Sequence, residues 1–137
     1  MNNSSYKDLI IWRRSMEVGL SLYKELKKFP QYEQYALCDQ IRRCLISIPS
    51  NIAEGHARNS KKEFMHFLSI SRGSLAEVQT QIIFCIELGY LSKEFGEQKS
   101  FEFNGIDIMI RKYMDTLNKN NPNIFKSLKS LFLSFFV

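Results

Sequence analysis

Apolar residues recur at three- and four-residue steps through four consecutive segments of this 137-residue chain, and no stretch alternates with period two. Steps of three and four return a side chain to the same side of a helix, whereas a half-buried strand needs period two. The pattern confines the chain to an all-α fold. Phe64, Phe67, Leu68, Ser71, Leu75, Val78, Ile82, Cys85 and Ile86 form the longest stripe, opened by Ser60-Lys61-Lys62-Glu63 and closed by Gly89-Tyr90. The opening tetrapeptide has the capping-box pattern, in which the serine accepts from a free backbone N–H and the glutamate reaches back to another. Glycine is the residue that most readily ends such a helix.

Three further helices fit the remaining stripes. The first starts near Asp8, with Ser5 or Asp8 as cap, turns Leu9, Trp12, Met16, Gly19, Leu20 and Tyr23 inward, and stops at Phe29-Pro30. The second follows Gln31-Tyr32-Glu33 and ends around Arg58, with Gly55 loosening its last turn. Ser92 caps the fourth, which runs toward Asn118 with Phe101, Ile106, Met109, Ile110, Tyr113 and Leu117 on its inner side. Connections this short make neighbours antiparallel. The expected fold is an antiparallel up-down-up-down four-helix bundle over residues 1–121, followed by an apolar tail over 122–137. In a helical tail, Asn123, Lys126, Ser127, Ser130 and Ser134 share one side, and Ile124, Phe125, Leu128, Leu131, Phe132, Phe135 and Phe136 the other. A short fifth helix covering the bundle or a neighbouring subunit accounts for this pattern. A membrane-surface helix is the alternative, weakened by having only two lysines.

The second helix carries a proline in its middle. Ile41, Cys44, Leu45, Ile48 and Ile52 make its apolar face, and Pro49 interrupts it at a cost of roughly 3 kcal/mol. Arg43, Ser47, Asn51, Glu54 and Arg58 line a polar stripe beside that face, and Ser74, Glu77 and Gln81 make a comparable stripe on the third helix. One use of these groups is hydrogen bonding between helices or subunits, satisfying the carbonyl that Pro49 frees. The other is a ligand or nucleic-acid surface in which the arginines contact phosphates.

Charged residues at 24% and hydrophobic ones at 45% describe a soluble globular domain, neither disordered nor integral to a membrane. No apolar run approaches the ~20 residues that span a bilayer, and the amino terminus has no basic segment followed by an apolar one, so a cytoplasmic protein is expected. Cys38, Cys44 and Cys85 lack any CxxC spacing and read as buried thiols. Glu63-Phe64-Met65-His66 matches half of the paired Glu-x-x-His set of di-iron bundles, but a second copy is absent and capping already explains Glu63. The two histidines, His56 and His66, flank a helix junction, face solvent, and join no nucleophile. No catalytic residue, metal or cofactor is expected, and the chain reads as a non-enzyme.

Net charge is +5, which suggests an anionic partner. Residues 1–30 hold six Lys/Arg against three acids, the tail adds Lys126 and Lys129, and the stretch between is neutral. Any basic patch therefore draws first on helix one.

Gln40-Ile41-Arg42-Arg43, followed by Ser47-Ile48-Pro49-Ser50-Asn51-Ile52-Ala53-Glu54-Gly55, resembles the signature of the four-helix-bundle family encoded within intervening sequences of bacterial 23S ribosomal RNA genes. Leu9 with Trp12, Phe29-Pro30 with Glu33, Arg72-Gly73-Ser74-Leu75-Ala76-Glu77 with Thr80-Gln81, and Leu88-Gly89-Tyr90-Leu91 add to the match, which covers about residues 6–118. That family is similar in fold to the accessory variability protein of diversity-generating retroelements. The resemblance implies a ring-like homopentamer, nucleic-acid binding through basic outer or pore surfaces, and no enzymatic activity. Cys44 stands where the family usually has alanine, and the tail extends beyond the family pattern. The expected partners are further copies of the chain and RNA or DNA. Arg13, Arg14, Lys24, Lys27 and Lys28 are the first candidates for phosphate contacts, with Arg42, Arg43 and Arg58 next. Ser47, Pro49, Asn51, Glu54 and Gly55 form a structural motif that sets bundle geometry. The alternative function is an adaptor module for self-assembly or a protein partner.

Overall fold

Local chemistry sets the ends of each helix. The computed structural model describes residues 5–119, and within them α1 spans Ile10–Glu25, α2 Leu37–Ala57, α3 Lys61–Glu87 and α4 Lys93–Asn118. Ser60 and Ser92 cap α3 and α4, their hydroxyls accepting from the backbone N–H of Glu63 (3.2 Å) and Phe95 (3.1 Å). Only half of the expected box forms at Ser60, because the Glu63 carboxylate turns toward Arg58, 4.0 Å away. A complete capping box, Ser5 with Asp8, is spent on a 3-10 turn at Tyr6–Asp8, so α1 begins at Ile10 without a side-chain cap. At the far end of α3, Gly89 sits at φ +77°, and the N–H groups of Tyr90 and Gly89 bond the carbonyls of Cys85 (2.8 Å) and Ile86 (3.0 Å). This is a Schellman motif, which needs a residue without Cβ strain at its left-handed position.

Four amphipathic helices bury their stripes together as an antiparallel bundle, α1 beside α2 and α4, and α3 beside α2 and α4. Ring contacts mark the two ends. At one, Phe29 and Tyr90 lie 5.2 Å apart and the Tyr32 and Tyr90 hydroxyls share a 2.8 Å hydrogen bond. At the other, Phe64 packs on Tyr113 at 5.5 Å and on His56 at 6.0 Å, so His56 is half-buried rather than solvent-facing. Leu22, Leu26, Ile41, Ile48, Ile52, Leu68, Leu75, Phe103 and Ile106 are fully buried at the centre.

The inward face of α1 differs from the sequence expectation. Ile11, Ser15, Val18, Gly19 and Leu22 are buried, whereas Trp12, Met16 and Tyr23 are half-exposed and Leu20 is 49% exposed. The aliphatic stripe of Ile11, Val18 and Leu22 takes the inner side together with the small Ser15 and Gly19. Ser15 hides its hydroxyl by donating to the Ile11 carbonyl at 2.6 Å. On α4, Phe101 is 79% exposed and Phe103 takes the core position. Gly96, Phe103, Ile106, Ile110, Tyr113 and Leu117 share the buried stripe, and Phe101 lies two residues from Phe103, on the far side of the helix.

All three cysteines are buried and free. Burial pushes the Cys44 thiol up to about 12, helped by the neighbouring Glu77, and the Cys85 thiol up to about 11. Among the described residues no helix is long and apolar enough to cross a membrane. The fifth helix and the boundary between 121 and 122 lie outside the described residues.

Candidate functional site

Ser47 and Asn51 are one helical turn apart on α2, which faces α3 across Ser71 and Ser74. The Ser47 and Ser74 hydroxyls share a 2.9 Å hydrogen bond, and Asn51 Nδ2 donates to the Ser47 carbonyl (2.8 Å) and hydroxyl (3.0 Å). Ser71 donates to the Ile48 carbonyl at 2.9 Å, and the Cys44 thiol donates to the Ser74 carbonyl at 2.9 Å. These bonds form a polar seam between α2 and α3. The seam does not meet the carbonyl that Pro49 frees, which is that of Leu45. That oxygen points the other way, toward α1, where a Cβ added to Gly19 would stand 3.9 Å from it. Gly55 completes the motif as a close-packing position, since a Cβ there would lie 2.7 Å from Phe67 Cβ and 2.8 Å from Phe64 Cδ2. Sequence reasoning assigned this glycine to a loosened turn, because close approach of a second helix leaves no local trace.

The basic candidates fall into two groups. Arg13, Arg14, Arg42 and Arg58 are tied to the fold. Arg13 donates to the Lys7 carbonyl at 2.9 Å and lies 3.8 Å from Asp8. Arg14 bridges to Glu17 at 3.1 Å and to Glu102 of α4 at 3.9 Å. Arg42 donates to the carbonyl and side chain of Gln34, sits 3.6 Å from Asp39, and covers the Tyr23 ring at 5.8 Å. Arg58 pairs with Glu54 at 2.8 Å and lies over Phe67 at 5.3 Å, joining the end of α2 to α3. Lys24, Lys27, Lys28 and Arg43 are exposed, and only Lys28 of these has an ion pair among the described residues, with Glu25 at 3.0 Å.

Two features were missed in the sequence. Tyr32 and Tyr35 are 73% and 85% exposed on the same α1–α2 connection that carries Lys27 and Lys28. Basic and aromatic side chains exposed on one connection suit a nucleic acid strand, whose phosphates and base faces need both. Their nearness in sequence was the available signal. On the opposite side, Arg72, Arg111 and Lys112 line a cavity of about 490 Å³ between α3 and α4, with Asp107 bridging Arg72 (2.8 Å) and Arg111 (3.3 Å). The available signal was the i,i+4 spacing of Asp107 and Arg111 on α4, but the arrival of Arg72 from α3 leaves no local trace.

Between α1 and α2, an apolar groove of about 470 Å³ opens to the surface. Trp12, Met16, Leu20 and Tyr23 form one wall and Ile46, Pro49 and Ala53 the other, with Tyr6 at one end, its ring 5.3 Å from Trp12. Of the residues expected in the core of the first helix, Leu9 and Gly19 are buried as expected, while Trp12, Met16, Leu20 and Tyr23 line this groove. Among the described residues no group of three or more His, Cys, Asp or Glu side chains converges as a metal site; Glu63 and His66 point into solvent beside Arg58 and Phe67.

A family model described as 23S rRNA-intervening sequence protein matches residues 7–112. A crystal structure of a protein of unknown function from the S23 ribosomal protein family of Bacteroides thetaiotaomicron VPI-5482 superposes with a TM-score of 0.70 at 23% identity, covering 78% of this chain and 100% of that one. Among curated proteins none matches. With the family pattern running through all four helices and the bundle shared with that structure, this chain belongs to the 23S rRNA-intervening sequence protein family.

Proposed function

We propose that the protein is a non-enzymatic, homo-oligomeric bundle of the cytoplasm that binds nucleic acid chiefly through phosphates. The observation that carries this reading is the α1–α2 connection, where Lys27 and Lys28 and the rings of Tyr32 and Tyr35 are all exposed, just beyond the exposed Lys24 of the last turn of α1. Arg43 extends the basic surface along α2, while Arg13, Arg14, Arg42 and Arg58 contribute charge from positions fixed by their protein partners. Oligomerisation is supported by Ile83 and Phe84 on α3 and Leu88 just past its end, large apolar side chains that are more than half exposed in a single copy. A homopentamer, as in the family resemblance, would repeat the +5 surplus around a ring and focus its field. Three reduced, buried thiols fit a reducing compartment.

Titration of labelled 23S ribosomal RNA fragments and duplex DNA across a salt series tests the reading. Affinity should fall steeply with salt, and the Lys24→Glu, Lys27→Glu double variant should weaken it and flatten the log–log slope by about 0.7–0.9 for each lost phosphate contact. No binding at low salt, with assembly intact, would favour the adaptor reading, which the apolar groove and exposed α3 side chains also suit.

A further inference from the structure

The groove between α1 and α2 is an apolar surface that the four helices leave uncovered. Leu20 and Ile46 at its rim are 49% and 55% exposed, and Trp12, Met16 and Tyr23 line its wall. We propose that the groove is the docking site of this chain's own C-terminal segment, residues 124–137, lying along α1 and α2 with its apolar side inward.

Position, length and chemistry each support this occupant. α4 ends at Asn118, at the end of the bundle marked by the contacts of Tyr113 with Phe64 and of Phe64 with His56. α1 begins at that same end, because α1 and α4 are antiparallel neighbours, and Tyr6 and Trp12 form the near end of the groove there. From Asn118 to Ile124 the chain makes six steps and can span about 20 Å when extended, which matches the roughly two interaxial spacings of 8–10 Å from α4 past α1 to a segment seated across α1 and α2. The groove wall from Trp12 to Tyr23 extends about 16 Å along α1, at 1.5 Å per residue. The apolar set of the segment, Ile124 to Phe135 in helical spacing, covers the same number of residues and so the same length. Its opposite side, with Lys126, Ser127, Ser130 and Ser134, would meet water. The segment thereby supplies the apolar surface that the groove lacks, and the groove removes the segment's aromatic side from solvent.

Trp12 is the single tryptophan of the chain and lines the groove, so its fluorescence reads occupancy directly. In the full-length chain at low concentration, Trp12 should emit at short wavelength and resist acrylamide quenching. The full-length Leu128→Asp, Phe132→Asp variant should shift emission to the red and raise the quenching constant severalfold at unchanged helical content. The Lys126→Asp, Ser130→Asp variant, altered on the polar side, should behave as the parent. Equal quenching in the parent and the Leu128→Asp, Phe132→Asp variant overturns the proposal. It is also overturned if Trp12 becomes protected only as concentration and apparent mass rise together, which would assign the groove to a second copy.

Discussion

Gly55 and Gly73 are both glycines within helices, and their surroundings give them opposite roles. A Cβ on Gly55 would press into the Phe64 and Phe67 side chains that bring α3 against α2, whereas a Cβ on Gly73 meets nothing within 4 Å. Gly55→Ala should therefore destabilise the protein by about 1–3 kcal/mol through overpacking. Gly73→Ala should stabilise it by about 0.5–1 kcal/mol, the usual gain from replacing a mid-helix glycine. Urea denaturation of both variants checks the two signs together. At this scale the serines and asparagine of the seam were legible as a polar stripe beside Pro49. Ser74 was legible too, on the matching stripe of the third helix, but Ser71 was read into the apolar stripe, because the bond that uses its hydroxyl, to the Ile48 carbonyl, closes only when α2 and α3 meet.

Helix boundaries were largely legible, because caps and stops act within a few residues of chain. Ser60, Ser92 and Gly89 do what local hydrogen-bonding geometry requires of them. Helix faces were less legible. Both α1 and α4 carry apolar residues around more than half their circumference, so three-and-four spacing admits two neighbouring registers, and packing selects between them. The selection is measurable on α4. Phe103→Ala should cost about 3–5 kcal/mol as a cavity in the core, while Phe101→Ala, at an exposed position, should stay within about 0.5 kcal/mol. Similar losses for the two variants in thermal or chemical denaturation would mean that another surface covers Phe101.

The whole molecule holds its thiols protonated, and its stability should register this at high pH. Burial raises the Cys44 and Cys85 thiols from 9.0 to about 12 and about 11, so between these values the folded chain keeps protons that the unfolded chain has lost. Their contribution is fully present below about pH 9 and is lost as pH rises through 11. In urea midpoints followed toward alkaline pH, the Cys44→Ala, Cys85→Ala variant should lose stability less steeply than the parent. The charge of the molecule likewise separates into what is local and what is not. The lysine-rich end of α1 could be read directly, but the sequence does not say that Arg14 and Arg42 spend their donors within the protein, or that Arg72 and Arg111 gather around Asp107. By itself, the sequence determined the helical class, the four helices of the described residues and the ends of α3 and α4, the family, and the apolar and polar stripes, since each rests on spacing within one segment. Only the tertiary structure decided which of two apolar stripes on α1 entered the core. By choosing the stripe of Ile11, Ser15, Val18, Gly19 and Leu22, close packing left Trp12, Met16, Leu20 and Tyr23 as the wall of a groove.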